Sequence, residues 1–321
     1  MDSKLSPAER IHAVSKFVFH SPRPMFTKGR HPMKRAVCVG INNYPGSGND
    51  LQGCVNDARD WTMLLNEHGF TTSMLLDAQA TRQNIKAALD DLVNSAVEGD
   101  VIVFTYSGHG TQYLDTDQDE GDVYDEALYV YDGKILDDEL RVIIEKINPR
   151  ATLLVISDSC FSGSVTRLIP ENTKPRFMPV DGISDYRMVR QRLLLPESGM
   201  PEVLISGCSD SEYSYDAFIN GRYNGAMTAM AIQVIRQNPG VTYDQFFAQL
   251  RQLLPSSQYP QSPQLEGSDA HKNTRLFEPF EAVSDPGPTP TPEPIPTPQP
   301  QPSPGCIPGL MRQVTRLFKS G

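Results

Sequence analysis

Two short stretches carry residues that could do covalent chemistry. VIVFTYSGHG, residues 101–110, runs an apolar segment straight into His109 between Gly108 and Gly110. LLVISDSCFSG, residues 153–163, repeats the construction and stops at Asp158, Ser159 and Cys160 ahead of Gly163. A thiol becomes an effective nucleophile when an imidazole takes its proton, with the pair held at or slightly beyond hydrogen-bond range. Glycines beside such residues let a substrate backbone approach and leave amide N–H groups free to stabilise an oxyanion. Alone, a cysteine is more often a small buried hydrophobe and a histidine an ordinary core or surface residue. Two of them, each after a strand-like run and each followed by a glycine, favour a Cys/His pair.

The surrounding pattern supplies elements able to hold that pair. RAVCVGI, FTTSMLL, DVIVFTY, TLLVISD and PEVLISGCS read as strands. NDARDWTMLLNEHG, TRQNIKAALDDLVNSA, DDELRVIIEKI, GAMTAMAIQVIRQ and TYDQFFAQLRQLL read as helices from their apolar spacing and end signals. Apolar strands without alternation, separated by helices, predict an α/β fold with a mostly parallel central sheet and helices on both faces. In such sheets ligands bind past the carboxyl ends of the strands, where His109 and Cys160 both fall.

Residues 1–33 form a basic extension with one short helical signal, Ser6 and Pro7 followed by Glu9. Residues 34–280 form the globular domain, and residues 281–305 are a proline-rich spacer that cannot pack a core. Residues 306–321 place Ile307, Leu310, Met311, Val314, Leu317 and Phe318 at helical spacing with Arg312, Arg316 and Lys319 between them. That segment reads as a weak membrane anchor or a short protein-docking helix.

With 39% apolar residues, 321 residues suffice for one large domain with appendages. The net charge of −10 argues against general nucleic-acid binding, and it is concentrated: eleven Asp or Glu stand against one Lys between Asp115 and Glu139. Cys38, Cys54, Cys160, Cys208 and Cys306 are odd in number and contain no CxxC pair, so reduced thiols are expected rather than disulfides or structural zinc. No apolar run is long enough to span a membrane and no secretory signal is visible, which predicts a cytoplasmic protein.

YSGHG followed by DSCFSGS resembles the catalytic motifs of the metacaspases, caspase-related cysteine peptidases of clan CD, and the CFSG variant looks most like bacterial orthocaspases. The resemblance runs from residue 35 to about 278 through AVCVGINNYPG, LQGCVNDA, DEALYVYD, ILDDEL, ISGCSDSEYSYD, GAMT and SPQLEG, in the family's order. It implies a caspase-hemoglobinase fold made of a larger part, residues 34–166, a linker, 167–201, and a smaller part, 202–280. It implies His109 as general base, Cys160 as nucleophile, and the N–H groups of Gly110 and Cys160 as oxyanion hole. It also implies a monomer, since metacaspases carry extra strands where caspases pair through a sheet edge.

Substrate choice follows the same resemblance. Cys54, Asp57, Ser107 and Asp158 match positions that line a pocket for Arg or Lys, and paired carboxylates are what a guanidinium demands. Asp57 has a second reading, as a charge favoured at a helix N-terminus. The expected activity is therefore a cysteine endopeptidase acting on polypeptides at Arg or Lys. The 167–201 region offers Arg167, Lys174, Arg176, Arg187, Arg190 and Arg192 as self-cleavage sites, unless it is simply a basic surface loop. No cofactor is required. Calcium at Asp119, Asp122, Asp137 and Asp138 is implied by the family, although Arg167 stands where a further carboxylate ligand is expected and the alternative is a solvated acidic loop. The run from Asp115 to Glu126 is not a true EF-hand loop, because its glycine falls one place late. The rival reading from another class is a catalytically silent caspase-fold scaffold or calcium-responsive adaptor.

Overall fold

The computed structural model describes residues 30–46, 48–114, 124–160, 169–179, 197–209 and 212–280. The helical signal near residue 6 and the amphipathic segment 306–321 lie outside the described residues. The central sheet has six strands in the order β12-β9-β7-β3-β1-β2. β1 (Lys34–Gly40), β2 (Thr71–Leu76), β3 (Val101–Ser107), β7 (Thr152–Asp158) and β9 (Val203–Ser206) are parallel, while β12 (Gln264–Glu266) runs antiparallel on β9.

Every residue of β3 is buried, and its side chains alternate between two cores. Val101 and Val103 face α1 (Cys54–Glu67), α4 (Ala226–Gln237) and α5 (Tyr243–Leu253), with Trp61, Leu64, Ile232 and Phe246 in the same cluster. Ile102, Phe104 and Tyr106 face α2 (Arg82–Ser95) and α3 (Asp137–Ile144), with Ile85, Leu89 and Ile143. This is why the strand reads as a continuous apolar run: a parallel strand covered on both faces has no polar side.

Two small antiparallel sheets extend the fold where the sequence reading is weaker. β4 (His109–Leu114), β5 (Tyr124–Val130) and β6 (Gly133–Leu136) form one, with β4 at its edge. β8 (Thr173–Pro175), β10 (Tyr215–Ile219) and β11 (Arg222–Gly225) form the other, in the order β11-β10-β8. A strand inside the 167–201 region corrects the alternative of a plain surface loop for that part of it: β8 pairs with β10 and the chain is buried at its end. Short strands of three to seven residues that pair with distant partners leave little local periodicity to read.

Trp61 ties α1 to the central sheet, and it is 1% exposed. Trp61→Ala is expected to cost about 3–5 kcal/mol. Urea unfolding followed by circular dichroism checks this, and a loss below 1 kcal/mol would contradict the packing assigned to α1.

Candidate active site

The register of two neighbouring strands brings the chemistry together. β3 and β7 pair in parallel with Ser107 opposite Asp158, so two residues further on His109 and Cys160 emerge side by side at the same end of the sheet. Gly108 lies between, and a Cβ there would sit 2.6 Å from the Tyr106 hydroxyl and 2.8 Å from that of Tyr44. Those hydroxyls anchor the histidine backbone. Tyr106 donates to the carbonyls of His109 and Tyr129, each at 2.8 Å, and the His109 N–H donates to the Tyr44 hydroxyl at 2.8 Å. The glycine in SGHG is thus a matter of space for two tyrosines.

His109 is 2% exposed, with the Tyr44 ring tilted against it at 4.9 Å. Its Nε2 lies 2.7 Å from the Asn49 carbonyl, and since a carbonyl can only accept, Nε2 carries the proton in the neutral ring. Nδ1 is then the basic nitrogen, and it is buried with no hydrogen-bond partner among the described residues. Burial lowers the imidazole pKa to about 4, with the charges of Lys174 and Arg176 adding to the effect and the Asn49 bond opposing it. Cys160 is fully buried, and its Sγ accepts from the Ser214 N–H at 2.6 Å and donates to the Ser214 carbonyl at 3.2 Å. Among the described residues the thiol and the imidazole therefore do not bond to each other: Ser214 holds the thiol, leaving Nδ1 free. Cys208 lies next to Cys160, its thiol pushed up by Cys160 first and then by burial.

The space between these groups is filled by the chain itself. The carbonyl oxygen of Arg176 accepts from the N–H groups of Gly110 at 2.9 Å and Cys160 at 3.2 Å, and the Arg176 N–H donates to the Ser214 carbonyl at 3.0 Å. Upstream, Thr173–Pro175 pairs antiparallel with β10, and Lys174 Nζ donates to the carbonyls of Gly48 and Asp50 at 3.0 and 2.6 Å. An extended segment on a sheet edge, with one carbonyl on two N–H donors beside a thiol, has the disposition of a peptide presented for attack.

The Arg176 side chain is completely buried among three carboxylates. Nη2 lies 2.6 Å from Asp57 and 3.1 Å from Asp216, and Nη1 lies 3.3 Å from Asp158 and 3.1 Å from its carbonyl. The carboxylates are themselves held. Asp57 accepts from Asn224 Nδ2 and the Gly225 N–H, both at 2.9 Å. Asp158 accepts from the Ser214 hydroxyl and from both the N–H and hydroxyl of Thr228. Asp216 takes the N–H groups of Gln52 and Gly53 at 2.7 and 2.9 Å, satisfying the chain entering α1. Burial pushes the Asp57 carboxyl up while the guanidinium pulls it down. Gly225 forms one wall, and a Cβ there would stand 2.5 Å from Arg176 Nη1.

Of the residues expected to form a basic-residue pocket, Asp57 and Asp158 touch the guanidinium. Cys54 is buried near enough to feel its charge, with burial raising the thiol pKa more than Arg176 lowers it. Ser107 is buried at the end of β3, its carbonyl taking the Ile41 N–H at 3.0 Å, and makes no bond to Arg176. Asp216, Ser214 and Asn224 were not singled out, although Ser214 and Asp216 stand within ISGCSDSEYSYD. Of the six self-cleavage candidates, Lys174 and Arg176 are in the groove, while Arg167, Arg187, Arg190 and Arg192 lie outside the described residues. Asp119 and Asp122 also lie outside them. Asp137 and Asp138 occupy the first turn of α3, and no group of three metal-binding side chains forms among the described residues.

The chain is similar to known proteins over most of its length. A family model described as metacaspase, peptidase C14 domain, matches residues 34–169. Metacaspase-1 of Mycosarcoma maydis is 31% identical over 286 residues, covering 73% of this chain and 70% of that protein. Metacaspase-1 of Emericella nidulans is 33% identical over 285 residues, with the same coverage. Among solved structures, protein GSU0716 from Geobacter sulfurreducens superposes with a TM-score of 0.62 at 28% identity, over 78% of this chain and all of that one. Caspase-1 from Spodoptera frugiperda shares the fold, with a TM-score of 0.50 at 12% identity, over 75% of this chain and 89% of that one.

The state of His109 gives a pH test. Its pKa of about 4 lies below the ordinary 6.5, so between these values an unfolded chain binds the proton that the folded site refuses. Stability contributed by this residue is complete above about pH 6.5 and is lost as the pH falls towards 4. In full-length Cys160→Ala protein, the His109 ring proton resonances are expected to titrate near pH 4, and the midpoint to rise when Lys174 and Arg176 are both changed to Ala. A midpoint above 6 in the uncut protein would contradict the buried, neutral base.

Proposed function

From the membership of this chain in the metacaspase family, which makes it a caspase-like cysteine peptidase, we propose that it cuts after Arg or Lys using Cys160 and His109, and that its first substrate is its own Arg176–Phe177 bond. The observation that carries this reading is the seating of Arg176: guanidinium among Asp57, Asp158 and Asp216, carbonyl oxygen on the Gly110 and Cys160 N–H groups. A fork of N–H donors fits carboxylates from several sides, which an aspartate side chain could not do in the same pocket. Lysine would enter as a point charge on a slimmer stem and use fewer of the partners.

The chemistry follows from the groups in place. The Cys160 thiol leaves the Ser214 carbonyl and passes its proton to His109 Nδ1, while the Ser214 N–H stays on the sulfur and favours the thiolate. The thiolate attacks the Arg176 carbonyl carbon. The oxygen takes the negative charge between the Gly110 and Cys160 N–H groups, each such donor being worth roughly 2.7–4 kcal/mol in the transition state. Collapse breaks the C–N bond, and His109 returns the proton to the departing amine of Phe177. A water that gives its proton to His109 then hydrolyses the thioester, freeing Cys160 and leaving Arg176 as a carboxyl terminus.

Purified wild type is expected to separate on a denaturing gel into two pieces, the second beginning at Phe177, while Cys160→Ala stays whole. Arg176→Gln should block that cut. On peptides ending in Arg-coumarin, Asp57→Asn and Asp158→Asn should each lower kcat/KM tens- to thousands-fold, the loss of roughly 2–5 kcal/mol that follows from breaking a buried charge pair. Gly225→Ala should act alike by filling the pocket, because its φ of −67° is open to any residue and only space is lost. A wild type that hydrolyses Asp-coumarin peptides better than Arg peptides defeats the pocket assignment, and one that hydrolyses neither favours a scaffold. Equal nicking of Cys160→Ala would assign the cut to another peptidase. Running the Arg assay across a calcium titration tests whether Asp119, Asp122, Asp137 and Asp138 hold an activating ion.

A further inference from the structure

The segment in the groove does not end at the carbonyl poised for attack. Phe177 bridges Gly110 in parallel fashion, so the chain beyond Arg176 runs alongside β4. The Met178 N–H donates to the Gly110 carbonyl at 2.8 Å, and the Thr111 hydroxyl donates to the Met178 carbonyl at 2.7 Å. Met178 is 5% exposed and Thr111 is fully buried, so these bonds lie out of water. β5 occupies the other side of β4, which leaves this edge to the segment.

We infer that the enzyme reads the substrate beyond the cut, through the edge of β4, and that the second residue after the scissile bond fills a buried apolar subsite. The inference rests on the reading of residues 173–178 as a substrate in place. Its chemical basis is twofold. The Thr111 hydroxyl and the Gly110 carbonyl pair with the main chain of that residue, which any L-amino acid offers, while its side chain must leave water as that of Met178 does. A large unbranched or γ-branched apolar side chain gains from the transfer, and a carboxylate would be stripped of water with no partner.

Gly110 makes this subsite more than an anchor. Its N–H is one of the two donors to the Arg176 carbonyl, and its own carbonyl receives the Met178 N–H. The occupant thus grips the same residue on both sides of a Cα that is freer to rotate than any other. The second residue beyond the cut orients the oxyanion donor, so its loss is expected in kcat as well as in KM.

The test uses full-length wild type after self-processing and internally quenched peptides of the form Thr-Lys-Pro-Arg-Phe-X, where X is Met, Leu, Gly, Asp or N-methyl-Met. Met and Leu should be cut with kcat/KM within about threefold of each other, and Gly, Asp and N-methyl-Met about tenfold or more slower. Thr111→Val should lower kcat/KM for the Met peptide about tenfold more than for a peptidyl-Arg-coumarin, which has no residue in that subsite. In the full chain, Met178→Asp should slow the 176–177 cut about tenfold relative to Met178→Leu. Hydrolysis of the coumarin peptide with equal rates for all five X overturns the β4 subsite and leaves the Arg pocket standing. A protein that cuts neither the coumarin peptide nor itself defeats the Arg reading and this inference together.

Discussion

One buried cation organises the catalytic end of this protein. Asp57 comes from α1, Asp158 from the end of β7 and Asp216 from β10, and among the described residues all three meet at the guanidinium of Arg176. Three carboxylates this close, all out of water, cannot stay charged without compensation. Part of it comes from fixed donors: Asn224, Gly225, Ser214, Thr228 and the N–H groups entering α1. The rest comes from the Arg176 guanidinium, which opposes the upward push of burial on Asp57. The three carboxylates are thus held in fixed orientations, and the guanidinium supplies the charge opposite them.

The placing of that cation follows from strand register. The parallel pairing that sets Ser107 opposite Asp158 fixes where the chain leaves β3 and β7, and so fixes His109 beside Cys160. Asp158 is the last residue of β7 and Cys160 follows two residues later, so the carboxylate and the thiol are held close by the chain itself. Ser214 couples the two further, since its hydroxyl serves Asp158 while its N–H and carbonyl hold Cys160 and the Arg176 backbone. One residue thereby fixes the Asp158 carboxylate, the Cys160 thiol and the Arg176 main chain relative to one another.

Much of this was legible in the chain. The five parallel strands and their helices show as apolar runs of different period, and the paired strand ends at His109 and Cys160 follow from them. Asp57 and Asp158 came by resemblance, and both touch the guanidinium. Other parts had no local signal. Asp216 is a lone acid in a five-residue strand, and its role comes from pairing with β8 and from facing α1, neither of which leaves a trace nearby in sequence. Six basic residues in the 167–201 region looked equivalent, and only the pairing of Thr173–Pro175 with β10 singles out Arg176. The bond of Nε2 to Asn49 was likewise out of reach, because it uses a backbone carbonyl and any residue supplies one.

The groove lies between two sheet edges, that of β10 on one side of the Arg176 carbonyl and that of β4 on the other. Unpaired edges of this kind are templates for any extended chain, including those of neighbouring molecules at high concentration. In the intact protein, residues 173–178 cover both. The covering segment therefore has a second consequence: while it stays in place, neither edge offers unpaired backbone groups to another chain.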